Sequence, residues 1–334
     1  MKEIRIEVNM ILAGDVGGTK TLLGLFSRQA SRPEPIAVQS FPTRNYPDLS
    51  HVISAFSTHE RVRGTRVRAA AFGVAGPVLG QTATLTNVSF RIDADEISRT
   101  FAIPHVRLLN DLQAMAYSVT ALSDSEVHVL QAGEPKPGGH IGLIAAGTGL
   151  GEAAVYRTDA GLFPAPTEAG HADWAARNER DVVVLRQLIA RLGRAQVEDV
   201  LSGRGLVNLH RVTHQDGDCT AIDNDNDPNA PALISNAALE RRCAGCVEAL
   251  DIFVSAYGAE AGNLALRTVA TGGLFVGGGI APKIRSALID GRFMRAFLDK
   301  QPFREMLTKV PVKIILNPDA ALLGAAIAAA LDIN

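Results

Sequence analysis

The sequence predicts an α/β fold of two domains. Its 334 residues are enough for two domains of roughly 150 residues each. Three segments repeat an apolar strand followed by a glycine cluster, and helical stretches lie between them. Strands mixed with helices in this way are typical of α/β architecture. The three segments are ILAGDVGGT at 11–19, IGLIAAGTGLG at 141–151 and GLFVGGGIAP at 273–282.

Composition favours a small-molecule ligand. A net charge of −2 with 20% charged residues provides no basic field for nucleic acid or an anionic membrane. The alanine-rich apolar run at 320–331 is too short to cross a bilayer and predicts a packed helix. The first ten residues alternate charged and apolar side chains without a hydrophobic signal region, so we expect a cytoplasmic protein.

The first glycine cluster, GDVGGTKT at 14–21, differs by one residue from a Walker A loop, which would need glycine in place of Thr19. The apolar run that follows predicts a returning strand, not the helix that a P-loop opens. Gly17 and Gly18 permit positive φ and have no Cβ, so their N–H groups can approach phosphate oxygens. Asp15 would repel a bare triphosphate, which predicts a divalent cation between them. An ordinary β-hairpin with an acidic turn is the alternative.

The second and third clusters predict further nucleotide contacts. Gly147, Gly149 and Gly151 form G-x-G-x-G, and a strand-like run follows them, so the pattern is not a dinucleotide fingerprint. The third cluster precedes APKIRSALI, in which Pro282 suits the start of a helix. A glycine-rich turn at that point could lie against a flat ligand such as adenine.

A strand-to-helix junction carries two polar residues. His105–Leu109 predicts a strand, and apolar residues at helical spacing run from Leu112 to Leu122. Asn110 and Asp111 fall between them. Helix capping, worth about 1 kcal/mol, explains one of the two. The helix dipole favours an ionised Asp111, which could accept a proton from a nearby hydroxyl.

Three more polar side chains suit a polyol ligand. Glu168 and His171 flank a small-residue pair in TEAGHADWA and could face one ligand. Glu198 precedes a Ser-Gly break and, taken alone, is typical of a solvated helix residue. Carboxylate, amide and imidazole groups exchange hydrogen bonds with vicinal hydroxyls.

The remaining patterns concern helices and cysteines. Residues 179–193 and 296–307 each predict a helix. Three cysteines do not form a disulfide framework. CAGC at 243–246 lies in a helical run, and we find no second Cys/His pair at ligand spacing, so we expect reduced helix thiols rather than a redox or zinc site.

The motifs in their order, GDVGGT, ND, GTGLG, E-x-G-H, LSG-x-G and GGGI, resemble those of the bacterial glucokinase family of the ATP-dependent hexokinase and actin superfamily. The likeness runs from about residue 11 to the C-terminus. It implies two ribonuclease H-like domains of the actin-like ATPase fold, with an active-site cleft between them. The small domain would comprise residues 1–121 and 317–334, and the large domain residues 122–316.

The resemblance also implies a reaction, transfer of a phosphoryl group from ATP with Mg²⁺ to glucose as the first step of glycolysis. Asp111 matches the general base, and Asp15 would lie near Mg²⁺, directly or through water. The ATP residues would be Gly14, Asp15, Val16, Gly17, Gly18, Thr19, Gly147, Thr148, Gly149, Gly151, Gly277, Gly278 and Gly279, and the sugar residues Asn87, Asn110, Asp111, Glu168, His171 and Glu198.

Several alternatives stay open. A homodimer without nucleic-acid or membrane partners is expected, and ADP or polyphosphate could replace ATP as donor. Another hexose such as mannose or fructose could be the substrate. A non-catalytic sensor or an actin-like filament protein could share the fold, although Asp111 together with the Asp15 loop argues against a sensor. The cysteine-rich zinc motif of the related repressor and sugar-kinase group is absent.

Overall fold

The computed structural model divides the chain into two compact units. Unit 1 is Met1–Ser123 with Asn317–Asn334, and unit 2 is Asp124–Leu316. Both combine helices with β-sheets, which confirms the predicted α/β class. The structure describes residues 9–29, 32–85, 90–159, 161–214, 219, 221, 222, 224 and 226–333.

Unit 1 contains a five-stranded and a three-stranded sheet. The strands are β1 Met10–Val16, β2 Lys20–Ser27, β3 Glu34–Pro42, β4 Val67–Val74, β5 Val78–Leu79, β6 Thr82–Thr84, β7 Arg91–Asp93 and β8 His105–Asn110. In the larger sheet the strand order is β3-β2-β1-β4-β8, and in the smaller sheet it is β5-β6-β7. The helices are α1 Leu49–Ser57, α2 Ala94–Phe101, α3 Asp111–Ser118 and, from the end of the chain, α11 Ala320–Ala330.

The register of unit 1 brings its polar motifs to one edge. β1 pairs antiparallel with β2, and it pairs in parallel with β4, which in turn pairs in parallel with β8. Asp15 therefore lies beside Gly73, and the next position of β4, Val74, lies beside Asn110. The carboxyl ends of β1 and β8 consequently meet at the same edge of the sheet.

Helix α11 is held by packing on all sides. Its alanines and Leu322 lie in a core with β1, β4 and α3, and nearly every residue is buried. This confirms the predicted packed helix at 320–331. Among the described residues, no helix combines the length and the apolar character that crossing a membrane requires.

Unit 2 is built on a six-stranded sheet. Its strands are β9 Val127–Gln131, β10 Ile141–Ala146, β11 Leu150–Thr158, β12 Gly161–Thr167, β13 Gly273–Gly277 and β14 Val312–Ile315. Their order across the sheet is β12-β11-β10-β13-β14-β9. Its helices are α4 Glu179–Leu192, α5 Gly203–Thr213, α6 Ala230–Leu239, α7 Ala244–Thr268, α8 Arg285–Leu288, α9 Arg292–Leu298 and α10 Arg304–Thr308. The expected helix at 179–193 is confirmed by α4.

Four helical expectations need correction. The helix after Asp111 ends at Ser118 and does not reach Leu122. The region 296–307 is two helices, α9 and α10, separated by a segment that contains Pro302, which lacks the N–H that a helix interior needs. The run around CAGC breaks between α6 and α7, where Arg241 has a φ of 55°. After the third glycine cluster a turn precedes the helix, which begins only at Arg285.

Candidate functional site

The first glycine cluster is the predicted strand, turn and strand. β1 and β2 flank residues 17–19, and the Gly17 N–H donates to the Lys20 carbonyl at 3.0 Å. No helix follows, so the P-loop alternative is excluded. Neither Gly17 nor Gly18 has the positive φ that we expected. Because neither glycine has a left-handed backbone conformation, any role that requires glycine at these two positions depends only on the missing Cβ.

Thr43 holds this hairpin turn in place. Its hydroxyl donates to the Gly17 carbonyl at 2.7 Å and lies 2.9 Å from the Thr21 hydroxyl, while its N–H donates to the Thr19 carbonyl at 3.0 Å. Thr43 is fully buried at the start of the 3₁₀ helix Thr43–Asn45. Sequence reasoning missed this contact, because nothing in the motif points to a residue that lies after the next strand.

Carboxylates crowd the carboxyl edge of the unit 1 sheet. The pKa of Asp15 is raised to about 6, first by burial and then by the nearby charges of Asp111 and Asp319, against the opposing charge of Lys20. Oxygen donors that repel one another in this way suit a hard divalent cation, which would relieve the repulsion. The residues therefore fit Mg²⁺. Asp319 precedes α11 without capping it and was not among the predicted site residues.

Asn110 and Asp111 occupy different positions at the start of α3. Asn110 is the N-cap of α3, and its Oδ1 accepts from the backbone N–H groups of Leu112 at 2.9 Å and Gln113 at 3.4 Å. Asp111 is the first residue of the helix, and its Oδ1 accepts from the Leu112 N–H at 2.8 Å. Capping thus accounts for Asn110. Asp111 lies where the helix dipole stabilises a negative charge.

In unit 2, Glu198 is bound directly to the second glycine cluster. Its Oε2 accepts from the Leu150 N–H at 2.9 Å, and its Oε1 accepts from Arg204 at 3.1 Å. A Cβ on Gly149 would lie 2.5 Å from Oε2, so only glycine permits this approach. Glu198 belongs to the short 3₁₀ helix Val197–Asp199 and is partly buried, which corrects the expectation of a solvated helix residue.

The other predicted sugar residues of unit 2 lie beside the same loop. Glu168 is the N-cap of the 3₁₀ helix Ala169–His171, His171 is its last residue, and both side chains are exposed. His171 Nδ1 lies 2.7 Å from Gln196 Oε1. The Val197 N–H donates to the Ala172 carbonyl at 2.9 Å, which joins this segment to the one that carries Glu198. The structure thus brings Glu168, His171 and Glu198 into one region of unit 2.

Tyr257 connects the second and third glycine clusters. Its hydroxyl accepts from the Ala146 N–H at 3.1 Å and donates to the Gly277 carbonyl at 3.3 Å. Ala146 is the last residue of β10 and Gly277 the last of β13, immediately before the two glycine turns. Tyr257 is fully buried, and burial raises the pKa of its phenol. No sequence pattern pointed to this residue, which lies in the middle of α7.

The remaining predicted residues fall as follows. Gly14 and Val16 belong to β1, Gly151 to β11, and Thr148 to the exposed turn between β10 and β11. Gly278 has a φ of 82°, in the turn that it shares with Gly279 after β13. Asn87 lies outside the described residues.

A buried acidic pair lies on β11 and α7, apart from the predicted residues. Arg267 donates to Glu152 at 3.2 Å and also binds Glu260. The pKa of Glu152 is raised to about 8, first by burial and then by the charge of Glu260, while the charge of Arg267 opposes the increase.

Comparison with known proteins shows the family of the chain. The glucokinase family model matches residues 12–332. The chain belongs to the glucokinase family. A glucokinase of Nostoc punctiforme is 36% identical, over 97% of this chain and 99% of that relative. These matches confirm the family that the motifs indicated and the predicted enzyme class, a glucokinase.

Solved structures of known proteins share the fold. The crystal structure of a glucokinase from an Antarctic psychrotroph has a TM-score of 0.85 and 28% identity, and the match covers 96% of this chain and 98% of the other. A ROK family glucokinase from Streptomyces griseus, solved with glucose and AMPPNP, has a TM-score of 0.62 at 21% identity, over 96% of this chain and 99% of that chain. The latter shows a common fold alone. The predicted fold class is confirmed.

Proposed function

We propose that this glucokinase family member transfers the γ-phosphoryl group of ATP to the 6-hydroxyl of glucose, with Asp111 as general base. One observation carries the proposal: Asp15 on β1 and Asp111 directly after β8 lie at the same edge of the unit 1 sheet, beside the hairpin turn at 17–19, where the charge of Asp111 raises the pKa of Asp15. A base adjacent to a phosphate-binding turn and a cation ligand is the arrangement that phosphoryl transfer to an alcohol requires.

Asp111 would accept the proton of the sugar hydroxyl as its oxygen attacks the γ-phosphorus. The start of α3 supports this role, because the helix dipole and the Leu112 N–H both stabilise the ionised carboxylate. Asn110 would contact the sugar through its amide nitrogen, since its carbonyl oxygen already accepts the two capping hydrogen bonds.

Unit 1 would also bind the phosphates and the metal. The hairpin turn would present backbone N–H groups to the phosphate oxygens, and Thr43 would keep the turn in position. Asp15 would hold Mg²⁺, directly or through water. The ion, when bound, supplies positive charge that offsets the charge of the transferring phosphoryl group.

Unit 2 would contribute the second and third glycine turns to ATP, and Glu168, His171 and Glu198 to glucose. The hydrogen bond from the Leu150 N–H to Glu198 supports this assignment, because it would hold the glucose-binding carboxylate against the second glycine turn, which would bind phosphate. Sugar binding and the geometry of that turn would therefore depend on each other. The proposal includes Asn87 as a further sugar contact, a cytoplasmic location, a homodimeric state and a product that enters glycolysis.

A panel of sugars and phosphoryl donors tests the reaction. Purified protein is incubated with Mg²⁺ and ATP, ADP or polyphosphate, together with glucose, mannose, fructose or no sugar. We expect ATP consumption that depends on glucose and a product that is glucose 6-phosphate by mass and NMR. A preference for another hexose would refute the glucose assignment, and the absence of any sugar-dependent turnover would refute the kinase.

The role of Asp111 is tested with a matched pair of variants. Asp111→Asn should lower kcat by roughly 10²- to 10⁴-fold, the usual contribution of a general base, while glucose still binds. Asp95→Asn is the control, because Asp95 is an exposed carboxylate in the first turn of α2 in the same unit. Parental turnover in Asp111→Asn, or an equal loss in both variants, would contradict the assignment of the base.

A further inference from the structure

Three cysteines and two histidines of unit 2 converge on one point, away from the residues discussed so far. His210 lies in the last turn of α5, and His214 follows that helix as its C-cap. Cys243 is the N-cap of α7, and Cys246 lies in its first turn. Cys219 belongs to the segment between α5 and α6. Two helix ends therefore bring together an H-x₃-H pair and a C-x₂-C pair that are far apart in sequence.

Two sulfur-to-sulfur distances in this cluster match those of a tetrahedral zinc site. The sulfur of Cys219 lies 3.9 Å from that of Cys243 and 3.7 Å from that of Cys246. With Zn–S bonds of about 2.3 Å, a tetrahedron separates its sulfur ligands by about 3.8 Å. The sulfurs are too far apart for a disulfide, whose S–S bond is about 2.05 Å, and all three cysteines are free.

The fourth position is supplied by His214. Its Nε2 lies 3.1 Å from the sulfur of Cys243, and its Nδ1 lies 2.9 Å from the His210 carbonyl. A proton on Nδ1 that is donated to this carbonyl leaves the lone pair of Nε2 directed toward the sulfurs. Metal-bound histidines are commonly oriented by such a hydrogen bond to a backbone carbonyl.

Gly245 is required for this approach. A Cβ at this position would lie 2.6 Å from Nε2 of His214, so any other residue between the two cysteines would displace the imidazole. The ring of His210 stacks on that of His214 at a centroid distance of 4.0 Å and supports it from the side. Cys246 is fully buried, and Cys219 and Cys243 are partly buried, so the cluster is screened from solvent.

We propose that this cluster is a structural zinc site, with Cys219, Cys243, Cys246 and Nε2 of His214 as ligands. Zinc is favoured because a set of three sulfurs and one imidazole matches its structural sites, while Mg²⁺ and Ca²⁺ prefer oxygen. Four protein ligands leave no open position, which indicates a structural and not a catalytic metal. The thiols would release their protons when the metal binds.

CAGC would then belong to a zinc site, contrary to the expectation of reduced helix thiols. His214, which completes the ligand set, lies 29 positions before Cys243 and so outside the helical run around CAGC. The H-x₃-H pair that it forms with His210 was overlooked there. The zinc site contains neither Asp15 nor Asp111 nor any residue of the glycine clusters. An experiment that refutes the zinc site therefore does not refute the proposed kinase reaction, and the reverse also holds.

Metal analysis of the full chain tests the proposal. Protein purified without chelator should contain about one zinc per chain by mass spectrometry of the metal, and Co²⁺ added to the metal-free protein should give thiolate-to-cobalt charge-transfer bands with the visible bands of tetrahedral cobalt. Zinc should also protect all three thiols from a thiol reagent. Zinc-free protein that gives no cobalt spectrum, or a disulfide among these cysteines without metal, would overturn the proposal.

Variants assign the ligands. Cys243→Ser and His214→Asn should each weaken zinc binding by more than the roughly 10- to 100-fold that changes around a metal site cause. Gly245→Ala should weaken it as well, because it displaces the same imidazole. His51→Asn, which replaces an exposed histidine of unit 1, is the control and should keep full zinc content. Zinc retained at parental affinity in Cys243→Ser and His214→Asn would refute this ligand set. The cobalt spectrum of the parental protein remains decisive if a variant fails to fold.

Discussion

Replacing Tyr257 with phenylalanine should separate the contribution of one hydroxyl from that of its ring. The ring packs edge-on against Phe253 at a centroid distance of 5.9 Å and against Phe293 at 5.7 Å, and these contacts survive in Tyr257→Phe. The variant loses the hydrogen bond from the Ala146 N–H and the one to the Gly277 carbonyl. The change is therefore confined to the link between β10 and β13.

The magnitude follows from the buried amide. Leaving the Ala146 N–H without its tyrosine acceptor in the interior costs about 1–3 kcal/mol. For a unit of this size each kcal/mol lowers the unfolding midpoint by roughly 2–4 °C. We expect Tyr257→Phe to lower the midpoint of the unit 2 transition by roughly 2–12 °C, measured by calorimetry. Because both glycine turns follow directly, the KM for ATP should rise more than the KM for glucose.

A second tyrosine provides the control. Tyr156 lies on β11, is 39% exposed and contacts His140 through its ring. Its hydroxyl is near solvent, so Tyr156→Phe should leave both the midpoint and the KM for ATP unchanged. If Tyr257→Phe unfolds within 1 °C of the parental protein, or if the two variants behave alike, the inferred role of the buried hydroxyl is wrong.

Three further predictions concern individual side chains. Since the pKa of Glu152 is raised from 4.5 to about 8, its protonation stabilises the folded state fully below pH 4.5, and this contribution disappears as the pH rises through 8; Glu152→Gln should flatten the decline of the unfolding midpoint between these pH values, and parallel curves would contradict this. Thr43→Val removes the hydrogen bond to the Gly17 carbonyl and should raise the KM for ATP several-fold in steady-state kinetics, whereas an unchanged value would show that the turn holds its shape unaided. Gly149→Ala places a methyl group against Glu198 and should impair glucose binding and turnover together; calorimetry that finds parental glucose affinity would argue against this contact.

Some features of the molecule follow from the sequence alone because they depend on neighbours along the chain. The hairpin at Asp15 is encoded by an apolar run on each side of a glycine turn, and the structure confirms it. The junction at Asn110 and Asp111 is equally local, because capping joins residues two and three positions apart. The order of such motifs was sufficient to identify the family.

Helix ends and breaks were predicted less well. The apolar spacing from Leu112 continues past Ser118, where α3 ends, because such spacing continues wherever the chain packs, helical or not. Pro302 was present in the sequence, but the apolar residues on both sides of it concealed the break between α9 and α10.

Tertiary structure alone decided which distant side chains meet. Thr43 reaches the turn at Gly17, Tyr257 joins two strand ends, and the histidines of α5 meet the cysteines of α7. Each of these contacts depends on the direction in which a buried side chain points once strands and helices have packed. The spacing of residues in the sequence determines local backbone conformation. The packing of the interior determines which polar atoms from distant parts of the chain come into contact.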